Sequence, residues 1–281
     1  MTPEAQQLVG AFRHRRISDA ERVQLRRKFT GASPFPHLVL EDFVEGKPEE
    51  ILPLFPSVDW SGWHRYQDDY QRAKMICQDI ERMPEQMSSM MHELSAPSFL
   101  DFLADITGIR ELFPDPFLEG GGLHFSGPGG VLAPHTDFHI YPRLDIYRRV
   151  NVLVYLNRDW EESYGGCLEL YADPERPPER TVVPRWGTCV IFRTDDRSVH
   201  GFSQPIAEGR WRRSLAAYYY TSHETGEFSG DRNTYWRQHA SFRGRQRVQL
   251  EAYRALLVGS RALAVLAHRV NPSTRAGAKP S

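Results

Sequence analysis

The sequence predicts a mainly β protein with flanking helices, its strands arranged as a sandwich or jelly roll. Two observations carry this. From about residue 120 onward, short β-prone runs alternate with glycine- and proline-rich turns and never with helical crossovers. Before and after that region, apolar residues recur at helical spacing. The 281 residues, 40% of them hydrophobic, are enough to bury a core without disulfides or structural metal.

The first third reads mainly helical. Ser18-Asp-Ala-Glu21 has the form of a capping box opening a helix that runs to about Lys28. Pro34 and Pro36 break the pattern ahead of a short strand near 37–43. Two further helices are expected over 84–95 and 97–107, with Ser95 and Ser98 as caps. The strand-like runs then follow: Asn151–Leu156, Cys167–Tyr171, Thr181–Val183, Thr188–Phe192 and Ser214–Tyr220. Helical periodicity returns over 243–268, and 271–281 has the composition of a disordered tail. The expected organisation is a helical extension over 1–33, a β domain over 34–222, a C-terminal helical extension over 223–270 packed on that domain, and the tail.

Composition excludes several function classes. A net charge of −1 argues against a dedicated nucleic-acid binder. No apolar run approaches the roughly 20 residues of a membrane span, and the N-terminus lacks the apolar core of a secretory signal. Three cysteines make no disulfide framework. The expected setting is cytoplasmic. Four of the 35 basic residues are Lys, leaving 31 Arg, an excess that reads as general composition.

Eleven histidines invite sorting by chemistry. In His135-Thr136-Asp137, an imidazole and a carboxylate two residues apart share one face if they end a strand. His200, after a strand and a polar turn, is the best third ligand. Two His and one carboxylate on one face of an octahedron, with the other positions open, mark non-haem Fe(II) oxygenases. Strand alternation puts Arg212, Ser214, Ala216 and Tyr218 on one face, and an Arg facing the metal suits a dicarboxylate. Arg210 and Arg213 remain alternatives to Arg212.

Together, His135-x-Asp137, His200-Gly201 and Arg212-x-Ser214-Leu215 resemble the iron and 2-oxoglutarate motifs of the Fe(II)/2-oxoglutarate-dependent oxygenases, in their prolyl-4-hydroxylase-like branch. Asn151–Trp160, Gly165–Leu170 and Pro184–Phe192 are similar to the linking segments of that family, so the resemblance spans roughly 120–222. It implies a double-stranded β-helix (jelly-roll) core and three iron ligands, His135, Asp137 and His200. It further implies that Arg212, Tyr155, Leu168 and Ser214 hold the cosubstrate. The implied cofactors are Fe(II), 2-oxoglutarate and O2, with ascorbate as reductant, and the implied reaction is hydroxylation of an aliphatic carbon with decarboxylation of 2-oxoglutarate to succinate. Asp137 distinguishes the chain from related halogenases, which carry a small residue there.

For the substrate, a small molecule or a prolyl-type peptide, the loop Phe138–Arg149 is the most informative segment because it combines aromatic rings with three arginines. His124, His139, Tyr141 and Arg143 are its candidate contacts, although a structural role for His124 is the simpler one. The loop arginines could instead pair with Asp145, Glu161 and Glu162. His14, His37, His64, His92, His223, His239 and His268 read as surface or packing residues, and the Tyr218–Tyr220 run as core. A catalytically silent jelly-roll binding protein and a cupin-like non-oxidative metalloenzyme are the alternatives. The complete ligand set weighs against the first, and Arg212 against the second.

Overall fold

In a computed structural model, residues 10–141, 143–223, 234–239, 242 and 244–270 are described. The elements in chain order are α1 (Asp19–Thr30), β1 (His37–Leu40), α2 (Pro48–Ile51), β2 (His64–Tyr66), β3 (Gln71–Cys77), α3 (Glu85–Leu94), α4 (Pro97–Thr107), β4 (Phe113–Pro114), β5 (Gly122–Thr136), β6 (Ile140–Tyr141) and β7 (Ile146–Tyr155). They continue with β8 (Leu168–Tyr171), β9 (Arg180–Val182), β10 (Cys189–Arg193), β11 (Val199–Phe202), β12 (Arg212–Thr221), β13 (Tyr235–Trp236) and α5 (Arg245–Val270).

The strands form an antiparallel, nearly closed sheet in the order β1-β10-β7-β12-β5-β11-β8-β9. β5 holds the two halves together. Its first residues, Gly122–Ser126, pair with β12, whereas Leu132 and His135 pair with β11. The change of partner falls at Gly127-Pro-Gly-Gly130, where Gly129 adopts a positive φ of 72°. A glycine is suited to that conformation because it has no Cβ to clash.

Alternation along the strands sorts two cores. On β7, Val150, Val152 and Val154 join Cys189 and Ile191 of β10 and Leu215, Ala217 and Tyr219 of β12 in a core shared with the helices. The intervening residues, Asn151 and Leu153 on β7 and Phe192 on β10, face a cavity inside the barrel. This period of two is what a sheet buried on both faces requires.

The helices cover the outer face. Ser18 Oγ accepts from Glu21 N at 3.3 Å, as a cap should, but Glu21 turns to Arg13 (3.1 Å) and leaves the capping box half made. Ser95 stands at the C-cap of α3, its hydroxyl donating to Met91 O at 3.1 Å, but neither it nor Ser98 caps α4. Its N-cap is Ala96, held extended by the following Pro97, which occupies the first helical position. Phe99, Phe102, Leu103 and Ile106 of α4 are buried, and the Tyr219 hydroxyl reaches back to donate to Leu94 O at 2.7 Å.

Two local expectations are corrected. The first third is not only helical, because β2 and β3 form a hairpin that adds to β5. The expected helical stretch 223–270 is helical over Arg245–Val270, whereas Tyr235–Trp236 is a strand paired with Thr136 and His135. The compact unit containing the barrel accordingly runs through Arg237, and Gln238–Ser281 form a separate unit. The expected disordered tail lies outside the described residues. Cys77, Cys167 and Cys189 are free and buried. Among the described residues, no helix is long and apolar enough to cross a membrane.

Candidate metal centre and active site

His135 and His200 are direct partners across the β5–β11 ladder, and their rings lie 4.5 Å apart. Asp137 follows the end of β5. One ligand atom from each of the three residues lies within 4.8 Å of the others, and all three residues are buried. Asp137 Oδ1 is 3.6 Å from His135 Nε2, and Oδ2 is 3.7 Å from His200 Nε2. Each imidazole has its Nδ1 2.9 Å from a backbone carbonyl, Ala133 O for His135 and Ser198 O for His200. A carbonyl oxygen only accepts, so Nδ1 carries the proton and Nε2 keeps its lone pair for the shared space.

Asp137 is held from behind. Its Oδ2 accepts from Asn151 Nδ2 at 2.6 Å and lies 3.1 Å from Arg148 Nη2. Asn151 Oδ1 in turn accepts from Arg148 Nε (2.8 Å) and Thr194 Oγ1 (3.3 Å). Burial alone would raise the Asp137 carboxyl, but Arg148 and the two imidazoles overcome it and hold the group well below the usual carboxylate range. Burial, with His135 beside it, lowers His200 to about 4, so its imidazole is neutral and able to ligate at ordinary pH.

The triad opens on a cavity of about 140 Å³ that Arg212, Ser214, Leu168, Leu153, Phe192 and Phe202 also line. Arg212 is buried, donates from Nε to Gly166 O at 2.7 Å and from Nη2 to Tyr155 OH at 3.0 Å, and lies 4.7 Å from the ring centres of both Tyr155 and Phe202. Of Arg210, Arg212 and Arg213, Arg212 is the one that lines the triad's cavity. Arg210 is exposed and stacks on Tyr164, and Arg213 points to the opposite face over Phe125. The acceptor Gly166 O depends on a tight turn: Gly165 and Gly166 both have positive φ, and a Cβ on Gly165 would sit 2.2 Å from Pro205 O.

The loop residues separate. His124 lines the cavity and has Nε2 2.9 Å from Gly120 O, while burial and Lys74 lower it to about 3. His139 is fully buried, is not among the residues lining the triad's cavity, and sets Nδ1 3.4 Å from Asp196. Tyr141 is mostly core, packed with Ile146, Tyr218 and Tyr220, with an edge on an adjoining cavity. Arg143 is exposed on that adjoining cavity, its guanidinium 4.9 Å above Phe117. Arg148 pairs with Asp137 and not with Asp145, Glu161 or Glu162, because it lies in β7 facing inward and not in the loop. Tyr218 is also more than core. It lines the cavity under Arg148, whose guanidinium carbon is 3.4 Å from its ring centre.

Gln71, Lys74, Asn151, Thr234 and Trp236 line the cavity without having been singled out in the sequence. Trp236 lies 5.1 Å from the His135 ring and stacks on Tyr70 at 4.9 Å.

With this geometry in hand, comparison with known proteins is decisive for the central segment. Residues 121–221 match the model of the 2OG-Fe(II) oxygenase superfamily. The matched segment carries His135, Asp137, His200 and Arg212. The chain is also similar to prolyl 3-hydroxylase OGFOD1 of Mus musculus, 27% identical over 197 residues, covering 66% of this chain and 33% of that protein. The Xenopus laevis protein of the same name is 25% identical over 197 residues, covering 66% and 35%. The chain therefore spans about a third of the length of the curated relatives it matches. Its fold is similar to that of a Trichoplax adhaerens prolyl hydroxylase solved with a hypoxia inducible factor peptide fragment (TM-score 0.51, 16% identity, 72% of this chain and 91% of that one). It is also similar to a Pseudomonas putida prolyl-4-hydroxylase (TM-score 0.50, 19% identity, 72% and 100%).

Proposed function

We propose that the chain is a 2-oxoglutarate-dependent hydroxylase acting on an aliphatic carbon of a peptide, with a prolyl-type residue as target. The observation that carries this reading is the set of three ligand atoms within 4.8 Å, opening on the same cavity as the buried Arg212. The donor set fits Fe(II): two imidazoles whose Nε2 atoms face the shared space and one carboxylate held ionised. Bound iron would supply the dioxygen chemistry that couples decarboxylation of 2-oxoglutarate to hydroxylation.

The chain's own residues do the remainder. Ala133 O and Ser198 O fix both imidazoles, and Arg148 with Asn151 fixes the carboxylate. Arg212 offers a planar fork to the far carboxylate of 2-oxoglutarate while Tyr155 orients it. Leu153, Leu168, Phe192 and Phe202 exclude water along the cosubstrate, and Ser214 gives that wall a hydroxyl. Holding the reactants in this geometry is the main contribution a protein makes to such a reaction. Likeness over 197 residues to prolyl 3-hydroxylases supports the peptidyl target.

The test is succinate release with Fe(II), 2-oxoglutarate and ascorbate, with metal binding followed in parallel. His135→Ala and Asp137→Ala are expected to lose both. Survival of metal binding and turnover in both variants would overturn the reading, and a panel of proline-containing peptides tests the target.

A further inference from the structure

Lys74 stands at the junction of two cavities. The inner one, about 140 Å³, holds the His135, Asp137 and His200 triad; the outer one, about 480 Å³, leads away from it. Gln71, Lys74, Gly120, Phe138 and Thr234 line both. Any substrate passing from the outer cavity to the triad passes this side chain.

The other two inner cations are engaged. Arg212 is bound by Gly166 O and Tyr155, and Arg148 by Asp137 and Asn151. Lys74 is half-buried, meets Gln71 Oε1 at 3.4 Å and lies 5.7 Å over the Tyr66 ring. Among the described residues it makes no ion pair. An ammonium withdrawn from water without a counter-ion is costly, and a substrate anion would relieve that cost. The charges that face it are Asp137 and Asp68, which favour its protonation, and Arg212 and Arg148, which oppose it, while His124, lowered to about 3, is an uncharged neighbour. Asp137 is already committed to Arg148 and the two imidazoles. Burial, the largest influence, brings Lys74 down to about 8, so it is still mostly charged at neutral pH.

We propose that Lys74 is the specificity-determining cation of the substrate site, and that the preferred substrate presents a carboxylate close to the carbon that is hydroxylated. That carboxylate comes from an acidic residue flanking the target in a peptide, or from the free carboxylate of a small molecule. Arg143 adds a second positive charge on the outer cavity, and Glu119 on the same cavity makes it fit a single carboxylate and not a polyanion. This proposal rests on the hydroxylase reading above.

The experiment uses the full chain with Fe(II) and 2-oxoglutarate, reading succinate release and product mass. The probes are proline-centred peptides flanked by Glu, Gln or Lys, together with free proline and prolinamide. The Glu-flanked peptide, or proline over prolinamide, is expected to show about tenfold higher kcat/KM than its neutral match; which pair responds identifies the source of the carboxylate. Lys74→Glu should invert the order toward the Lys-flanked peptide. Lys74→Arg should keep the native order and hold it above pH 8, where the native preference fades. Equal kcat/KM across all charges, or a native order retained in Lys74→Glu, overturns the proposal while leaving the hydroxylase reading intact. A raised 2-oxoglutarate KM in Lys74→Met with unchanged probe preference also overturns it, by assigning Lys74 to the cosubstrate. No metal-dependent 2-oxoglutarate binding by the native chain would defeat both.

Discussion

Arg148 Nη2 lies 3.1 Å from Asp137 Oδ2, and the same guanidinium covers the Tyr218 ring with its carbon 3.4 Å from the ring centre. A carboxylate ligand is thus held by a cation that is itself clamped in place. Arg148→Met removes the charge and keeps most of the volume. Breaking one side of a buried pair costs about 3–5 kcal/mol of stability, and loss of such outer support lowers metal affinity about 10–100-fold. Calorimetric Mn(II) titration of the folded variant checks the second effect, and chemical denaturation the first.

On the proposed reading, cosubstrate binding should divide unequally between Arg212 and Tyr155. Arg212→Ala deletes the charge and should weaken 2-oxoglutarate binding by about 2–5 kcal/mol. Tyr155→Phe deletes one hydrogen bond to Arg212 and should cost about 1 kcal/mol, or roughly fivefold in Kd. Titration of 2-oxoglutarate into the Mn(II)-loaded variants reads both.

Gly165→Ala should disturb the same pocket without touching it. Its new Cβ would meet Pro205 O at 2.2 Å in a positive-φ turn, so the Gly165–Gly166 backbone must shift. The Gly166 carbonyl then leaves Arg212, and 2-oxoglutarate affinity should fall at least several-fold while Mn(II) affinity holds.

His14 gives the fold an acid sensitivity remote from the metal. It is fully buried against Phe99, and burial, with Arg15 and Arg22 nearby, lowers it from 6.5 to about 4. Below pH 6.5 the unfolded chain takes up a proton that the folded chain refuses, so stability falls from about pH 6.5 to about pH 4 and is level below that. The loss is of order a few kcal/mol. His14→Phe should flatten this part of the profile in urea denaturation measured at pH 7, 5.5 and 4.

Much of the barrel is written plainly in the chain. Val150-x-Val152-x-Val154 and Arg212-x-Ser214 alternate cleanly because each strand has one apolar face toward the helices and one toward the cavity. His135, Asp137, His200 and Arg212 fall where their spacing places them. β3 is hidden for the same physical reason that makes it important. Its inward residues Gln71 and Lys74 are polar, it has a single β-branched residue, Ile76, and it reads as neither strand nor helix. Arg148 and Asn151 are concealed differently: their roles arise from contact with Asp137 across strands, which no local pattern reports. His139 is close to Asp137 in sequence, yet it is buried beside Asp196 and not in the lining of the triad's cavity.

The rung joining His135 to His200 has a mechanical meaning. A cation captured there would act as a rivet between β5 and β11, tying together strands remote in sequence on the half of β5 that no longer pairs with β12. Ligand occupancy and sheet closure then become one equilibrium. At a metal concentration a hundred times its Kd, that rivet is worth about 2.7 kcal/mol. Iron starvation would accordingly be felt by this chain as a loss of shape as well as of chemistry.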